Sequence, residues 1–229
     1  MPLLGQAAML LSFDVAAAAV DEHDDWHTHE HLPERMSIPG FLRGTRWVTQ
    51  PGQSPRYVVL YEVAQLDILT SDAYLERLNH PSPWTSKMMP HYRGMSRGLC
   101  AVTASVGLGV GHAALLVRCR PLASAQRSLR SWLADQAFAK WSTKPGIVGL
   151  HLLESAAAPP MTNEQRIRGA DAGVDWAVLV TAYSTDCLAE LAVAELEPRT
   201  LAAHGAADMR QGSYRLDCSL SHEELGARA

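Results

Sequence analysis

The chain has 229 residues, 47% of them hydrophobic and 19% charged, with a formal net charge of -4. That much apolar material supports one large domain or two small ones and excludes a disordered chain. The acidic balance, without a dense Lys/Arg cluster, gives no electrostatic basis for a nucleic-acid partner.

The opening run, MPLLGQAAMLLSFDVAAAAV, is apolar and alanine-rich, as a signal peptide is. No Lys or Arg precedes it, Asp14 interrupts it, and it is too short and broken to span a membrane. It reads as a strand, AMLLSFDV (8–15), followed by the start of a helix. That helix is expected from Ala17 to about Arg35, with the Pro39-Gly40 pair ending the segment. FLRGTRWVT and YVVLYEV carry the aromatic and β-branched residues of strands, joined by the turn QPGQSPR. Ser71 is placed to cap a helix over DAYLERLN, and Ser82 with Pro83 to begin another. The late strand RGLCAVTAS follows, and GLGVGH (107–112) lacks GxGxxG spacing and a helix at its end, so it reads as a linker.

After the linker the pattern returns. Trp26 stands thirteen residues before Pro39-Gly40-Phe41, and Trp132 stands thirteen before Pro145-Gly146-Ile147. The same offset of 106 lays AMLLSFDV on ALLVRCRP (114–121), and YVVLYEV matches WAVLVTAY (176–183) at an offset near 119. The longer second offset comes from the loop ESAAAPPMTNEQRIRGADAGVD, and YRLDCSLS closes the second half as RGLCAVTAS closes the first. Each half therefore reads βαββαβ, the ferredoxin-like arrangement. The expected class is α+β, two such units fused in one chain, with antiparallel sheets packed as a pseudo-dimeric α/β barrel. The expected division is residues 1–110, carrying the site, and 111–229, a degenerate unit that is mainly scaffold.

The stretch WHTHEHLPERMSIPGFLRGTRWV, then YVVLYEV, then SDAYLERL and SPWTSKMMPHYRG, resembles the EthD-like family of dimeric α/β-barrel proteins. That family shows W…EHLP…PGF, a Y-x-x-x-Y-E strand and a late W-x-x-x-M-x-P-x-x-R stretch. The resemblance covers about residues 8–104; the second half matches in layout only. It implies small-molecule handling in a pocket between sheet and helices, often of aromatic or polyketide-like compounds.

At about 100° per residue, His23, His27 and His31 stack on one side of the first helix, with Glu30 and Glu34 beside them. The 106-residue offset carries these histidines onto Leu129, Leu133 and Ala137, and Glu30 onto Gln136. An arc that is apolar in one half should be the face packed on the sheet in both. Imidazoles placed there need a hydrogen-bonded network, a wet pocket or a ligand. His29 falls on the far side, toward solvent.

The expected site has His31 as acid/base, supported by His27 and Glu30, with His23, Trp47, Tyr61, Trp84 and His91 as binding residues. Core packing is the competing reading for each aromatic. Trp26 has its counterpart in Trp132 and reads as shared packing. Arg43 and Arg46 lie on opposite faces of one strand, and either could meet an anion. His27 and His31 form an HxxxH pair, but HExxH order is absent and a third ligand would have to come from Glu62, His80 or His91. No metal or cofactor is expected; haem through a proximal histidine, and a divalent metal, are the lesser alternatives. The expected chemistry is cofactor-independent, of monooxygenase, isomerase or decarboxylase type, on a small hydrophobic compound. The rival is a small-molecule-binding protein that catalyses nothing. Four spread cysteines (Cys100, Cys119, Cys187, Cys218) without a CxxC suit reduced thiols and a cytoplasmic location. No membrane partner is expected, and the chain is either a monomeric pseudo-dimer or a homodimer.

Overall fold

The computed structural model describes residues 3–156, 161–169 and 171–226. Residues 157–160 and 170, part of the long loop anticipated in the second half, lie outside the described residues. The chain divides into two compact units. One comprises Leu4–Cys100, Ala156–Gly173 and Asp217–Ala229; the other comprises Met1–Leu3, Ala101–Ser155 and Val174–Leu216. Segment 156–173, which in sequence belongs with the second half, thus packs with the first.

The first unit begins with β1 (Ala7–Val15). A helical stretch over 20–36 follows, α-helical across Val20–Trp26 and Leu32–Met36 with π turns across His27–His31. β2 (Phe41–Val48) and β3 (Tyr57–Val63) come next. Helices Asp72–Asn79 and Pro83–Met88 lead into β4 (Tyr92–Gly107), whose first part belongs here. Strand order is β4-β1-β3-β2, with β1 and β2 antiparallel to β3. The serine caps form as expected: Ser71 Oγ accepts from the Tyr74 N–H at 3.3 Å, and Ser82 Oγ from the Thr85 N–H at 2.9 Å. Each satisfies a donor that the helix itself leaves open.

The second unit repeats the order with β5 (Ala113–Pro121), a helical stretch over 126–141, β6 (Ile147–Ser155) and β8 (Trp176–Ala182). Helices Thr185–Ala194 and Pro198–Ala203 precede β9 (Ala206–Ser221). Its strand order, β9-β5-β8-β6, is the first unit's order again. The register repeats as well. Ala7 pairs with Val63 and Phe13 with Tyr57; Ala113 pairs with Ala182 and Cys119 with Trp176. These are the offsets of 106 and 119 read from the sequence. A bulge at Phe41/Arg43 recurs at Ile147/Gly149. Gly40 and Gly146, at φ +90° and +88°, make the same turn after the helix, where a Cβ would be strained.

Between β6 and β8 the chain departs from this plan. A short helix, Asn163–Arg168, is closed at its start by a capping box of Thr162 and Gln165, and β7 (Ala172–Gly173) lies parallel to Ser96–Arg97 of β4. Both elements belong to the first unit. Each unit has its own apolar core, one centred on Phe13, Trp26, Phe41 and Tyr61, the other on Leu115, Phe138, Trp141 and Val178. Among the described residues no helix is long and apolar enough to cross a membrane.

Candidate functional site

The histidine arc faces inward. His23, His27 and His31 are buried, as are Leu129, Leu133 and Ala137 at the corresponding places of the second unit, while His29 is exposed. Four residues of straight α-helix advance by about 400°, a drift of about 40° per step. The wider π turn at His27–His31 takes that drift back, so the three rings remain in file, with centroid spacings of 5.7 and 5.6 Å. The second unit has π turns at the equivalent place, Trp132–Ala137, without the imidazoles.

The three histidines have different surroundings. His23 Nδ1 lies 3.1 Å from Asp24 Oδ1 and Nε2 lies 3.3 Å from the Tyr92 hydroxyl. His27 Nε2 is 3.3 Å from the Tyr61 hydroxyl, and its Nδ1 is buried without a hydrogen-bond partner. His31 lies against Trp26, centroids 4.4 Å apart, and its Nδ1 is likewise buried without a hydrogen-bond partner; Glu34 Oε2 stands 4.0 Å away. Burial lowers the pKa of all three, with Arg46 and Arg35 adding to the effect at His27 and Arg35 at His31; His27 and His31 fall well below the ordinary value and are neutral near pH 7. Burial raises the pKa of Tyr61, Tyr92 and Glu34 in turn.

His31 lines a cavity of about 310 Å³, counting its open mouth. The enclosed part has room for about one water. Its walls come from alternate residues of β1 (Met9, Leu11), from Tyr61 of β3, from His31 and Arg35 of the first helix, and from Tyr74 and Leu78 of the next helix. Arg97 of β4 closes one side, and Thr162, Glu164, Gln165 and Arg168 of the inserted segment cover another. The cover is fastened in two places. Arg35 donates to Glu164 at 2.5 Å, and the Asn163 amide donates to the Asn79 carbonyl at 2.8 Å. Burial opposes the charge of Arg35, but Glu164, Tyr74 and Glu34 more than offset it and hold the guanidinium protonated.

Other residues anticipated from sequence lie elsewhere. Glu30 Oε1 accepts from Trp26 Nε1 at 3.1 Å, Ser82 Oγ at 2.5 Å and Thr85 Oγ1 at 3.4 Å, so its carboxylate ties the helix to the start of Pro83–Met88. Trp47 is buried on the opposite sheet face: its neighbour Arg46 reaches Thr28 on the helix at 3.0 Å, and strand side chains alternate. Trp84 donates to Glu22 at 3.2 Å on the outside of the helix pair. His91 is half-buried away from the cavity wall, and its carbonyl accepts from the Ala16 N–H at 2.9 Å. Arg43 and Arg46 both have carboxylates already, Glu62 and Asp217, each at 2.6 Å. His31 and Tyr61 both line the cavity, with His27 one hydrogen bond behind Tyr61. Arg35, Tyr74, Arg97, Glu164 and Arg168 were not anticipated; the T-x-x-Q cap before EQRIR was the one available signal of an ordered helix inside the loop.

Among the described residues no group of three or more His, Cys, Asp or Glu side chains is placed to hold a metal ion.

No family model and no curated protein matches the sequence. Solved structures do match in fold. An anthrone oxidase-like protein is 10% identical with a TM-score of 0.69, covering 98% of this chain and 97% of its own. A candidate monooxygenase from Fusobacterium nucleatum subsp. nucleatum is 8% identical, TM-score 0.62, covering 95% of both chains. A chlorite dismutase from Candidatus Nitrospira defluvii, solved with cyanide, is 10% identical, TM-score 0.58, covering 96% of this chain and 92% of that one. The chain therefore belongs to the fold class of ferredoxin-like, dimeric α/β-barrel proteins in fused form. At these identities the likeness establishes fold and leaves chemistry to the site.

Proposed function

We propose that this chain is an EthD-like protein that handles a small hydrophobic compound, aromatic or carbonyl-containing, in the His31 cavity. The chemistry is cofactor-independent, of acid/base or oxygenase type, and the second unit serves as scaffold. One observation carries the reading: an imidazole that burial keeps neutral, on the wall of a cavity. A neutral imidazole accepts a proton, and one whose basicity is lowered by burial serves a substrate whose C–H or O–H is already acidic. A CH2 that is attached to a carbonyl, or conjugated to one through an aromatic ring, is such a group. Tyr61, kept protonated and backed by His27, supplies a hydroxyl on the same wall to hold the carbonyl oxygen. In the oxygenase version the carbanion adds O2 and takes back a proton. Loss of water from that hydroperoxide converts CH2 to C=O, with one oxygen in the product, one in water, and no external reductant. The anthrone oxidase-like and candidate monooxygenase neighbours support this direction through fold.

Oxygen uptake by wild type and His31→Ala, with anthrone and related active-methylene compounds, tests the reading. The expected result is one O2 consumed per ketone formed by wild type, and none by the variant at an unchanged melting temperature. Equal uptake by both proteins would sink the role of His31. A second reading, binding without turnover, is favoured by the small enclosed volume, since a polycyclic ligand must displace the Asn163–Arg168 cover. Mass spectrometry of the denatured protein separates the two: a bound compound recovered chemically unchanged after aerobic incubation favours binding alone.

A further inference from the structure

The charges around the His31 cavity are matched, with one exception. Arg35 meets Glu164 at 2.5 Å and Glu34 at 3.1 Å. Arg168 meets Asp171 through Nη2 at 2.7 Å and Nε at 3.0 Å. Arg97, the third guanidinium on the wall, has no carboxylate within 4.0 Å among the described residues. Its Nε–H points at Met9 Sδ at 3.3 Å and its Nη2 donates to the Tyr74 hydroxyl at 3.4 Å. A thioether is a weak acceptor and the contact to Tyr74 is long, so neither answers a full positive charge. Arg97 is half-buried, open enough to be reached and closed enough to lose part of its hydration.

We infer that Arg97 is an anion-binding residue of this cavity and pairs with a single anionic group, a carboxylate or an ionised phenol, carried by the ligand. The inference rests on the reading of the His31 cavity as a small-molecule site and narrows it: the compound is hydrophobic in body and negatively charged at one end. A guanidinium presents a planar fork of donors that matches the two oxygens of a carboxylate or converges on one phenolate oxygen, and charge-assisted bonds are stronger than neutral ones. Met9 and Tyr74 keep the fork in place. Tyr74 Oη is 3.2 Å from Met9 Sδ, and both residues line the cavity, so the guanidinium is held between them at its edge. The arrangement also assigns two ends to the site. His31 acts on the reacting part of the ligand, and Arg97 fixes the charged part.

Isothermal titration of the full chain with benzoate and benzamide, at one ionic strength, tests this. The two probes share shape and differ in charge. Wild type should prefer benzoate by about tenfold or more. Arg97→Gln should abolish the preference by weakening benzoate alone, at an unchanged melting temperature. Arg97→Lys, which keeps the charge and loses the fork, should retain part of it, and it serves as the second variant if the first fails to fold. 4-Nitrophenol, whose ionised form absorbs visibly, provides the other arm. Binding of its anion without benzoate binding assigns the oxygen to a phenol and supports the inference. Benzoate binding that is no tighter than benzamide binding, a preference that survives in Arg97→Gln, or no binding of any anionic probe would each overturn it. Oxygen uptake that depends on His31 stands independently of these outcomes, so a failure here is distinguishable from failure of the proposed function.

Discussion

Arg35 and Glu164 stand 129 residues apart in the chain and meet at 2.5 Å with both side chains almost wholly buried. Breaking such a pair on one side leaves a charge buried with less to answer it, which costs more than the pair contributed. Glu164→Leu should lower stability by about 3 kcal/mol in urea denaturation. Glu34 remains beside Arg35 in that variant and limits the loss. Arg35→Met added to Glu164→Leu should recover most of the difference. A double variant as unstable as Glu164→Leu would show that the cover is held by something other than this ion pair.

His27 and His31 should respond differently to substitution. His27 Nε2 is hydrogen-bonded to the buried Tyr61 hydroxyl, so His27→Leu strands that hydroxyl at a cost of about 1–3 kcal/mol. Tyr61→Phe in the same chain should restore most of the loss. His31 gives up no hydrogen bond at Nδ1, and the volume its ring leaves beside Trp26 opens onto a cavity that water can fill, so His31→Ala should cost less than His27→Leu, about 1 kcal/mol. Thermal melts of the four proteins check both statements, and a larger loss in His31→Ala would mark it as a structural residue.

Acid should weaken the fold before carboxylates titrate. The folded-state pKa of His27 and of His31 lies well below the unfolded value of about 6.5, so the unfolded chain binds more protons just below that pH. Stability from this source is complete above about pH 7 and falls as pH drops below about 6.5, by up to about 1.4 kcal/mol per pH unit for each histidine. Urea midpoints between pH 7 and 5 measure the slope. The combined His27→Leu, Tyr61→Phe and His31→Ala protein should lose most of it, and an unchanged slope would place the sensitive groups elsewhere.

Binding should occur once per chain. Where the first unit has His27 and His31, the second has Leu133 and Ala137, buried in its apolar core. Titration with whichever compound binds should therefore give a stoichiometry of one, and two equivalent sites would contradict the asymmetry.

The repeat was legible because offsets of 106 and 119 residues carry through to individual strand pairs, such as Ala7–Val63 and Ala113–Ala182. The inward turn of the histidines was legible for the same reason, since leucines at the equivalent places declare the buried face. Trp47 was not. Gly44, Thr45, Arg46 and Trp47 of β2 are buried in a row, so both faces of that strand are covered and burial does not tell which set meets the helices. Glu30 is adjacent to His31 in sequence and about 100° away around the helix, enough to commit its carboxylate to Ser82 and Trp26. The cover over the cavity was illegible for a different reason. Its place is set by tertiary contacts of Asn163 and Glu164 with Asn79 and Arg35, and no local periodicity encodes those.

The inserted Asn163–Arg168 segment hangs from the β6–β8 connection, while its counterpart between β2 and β3 is the short stretch Thr49–Arg56. In an assembly of two identical chains every mutation is made twice, and an insertion that shields one cavity is forced on the other. A polypeptide that contains both copies is released from that rule. One copy can keep its imidazoles while the other carries leucine and alanine in their place and grows the flap, so selection can tune the cavity and its enclosure in separate stretches of sequence.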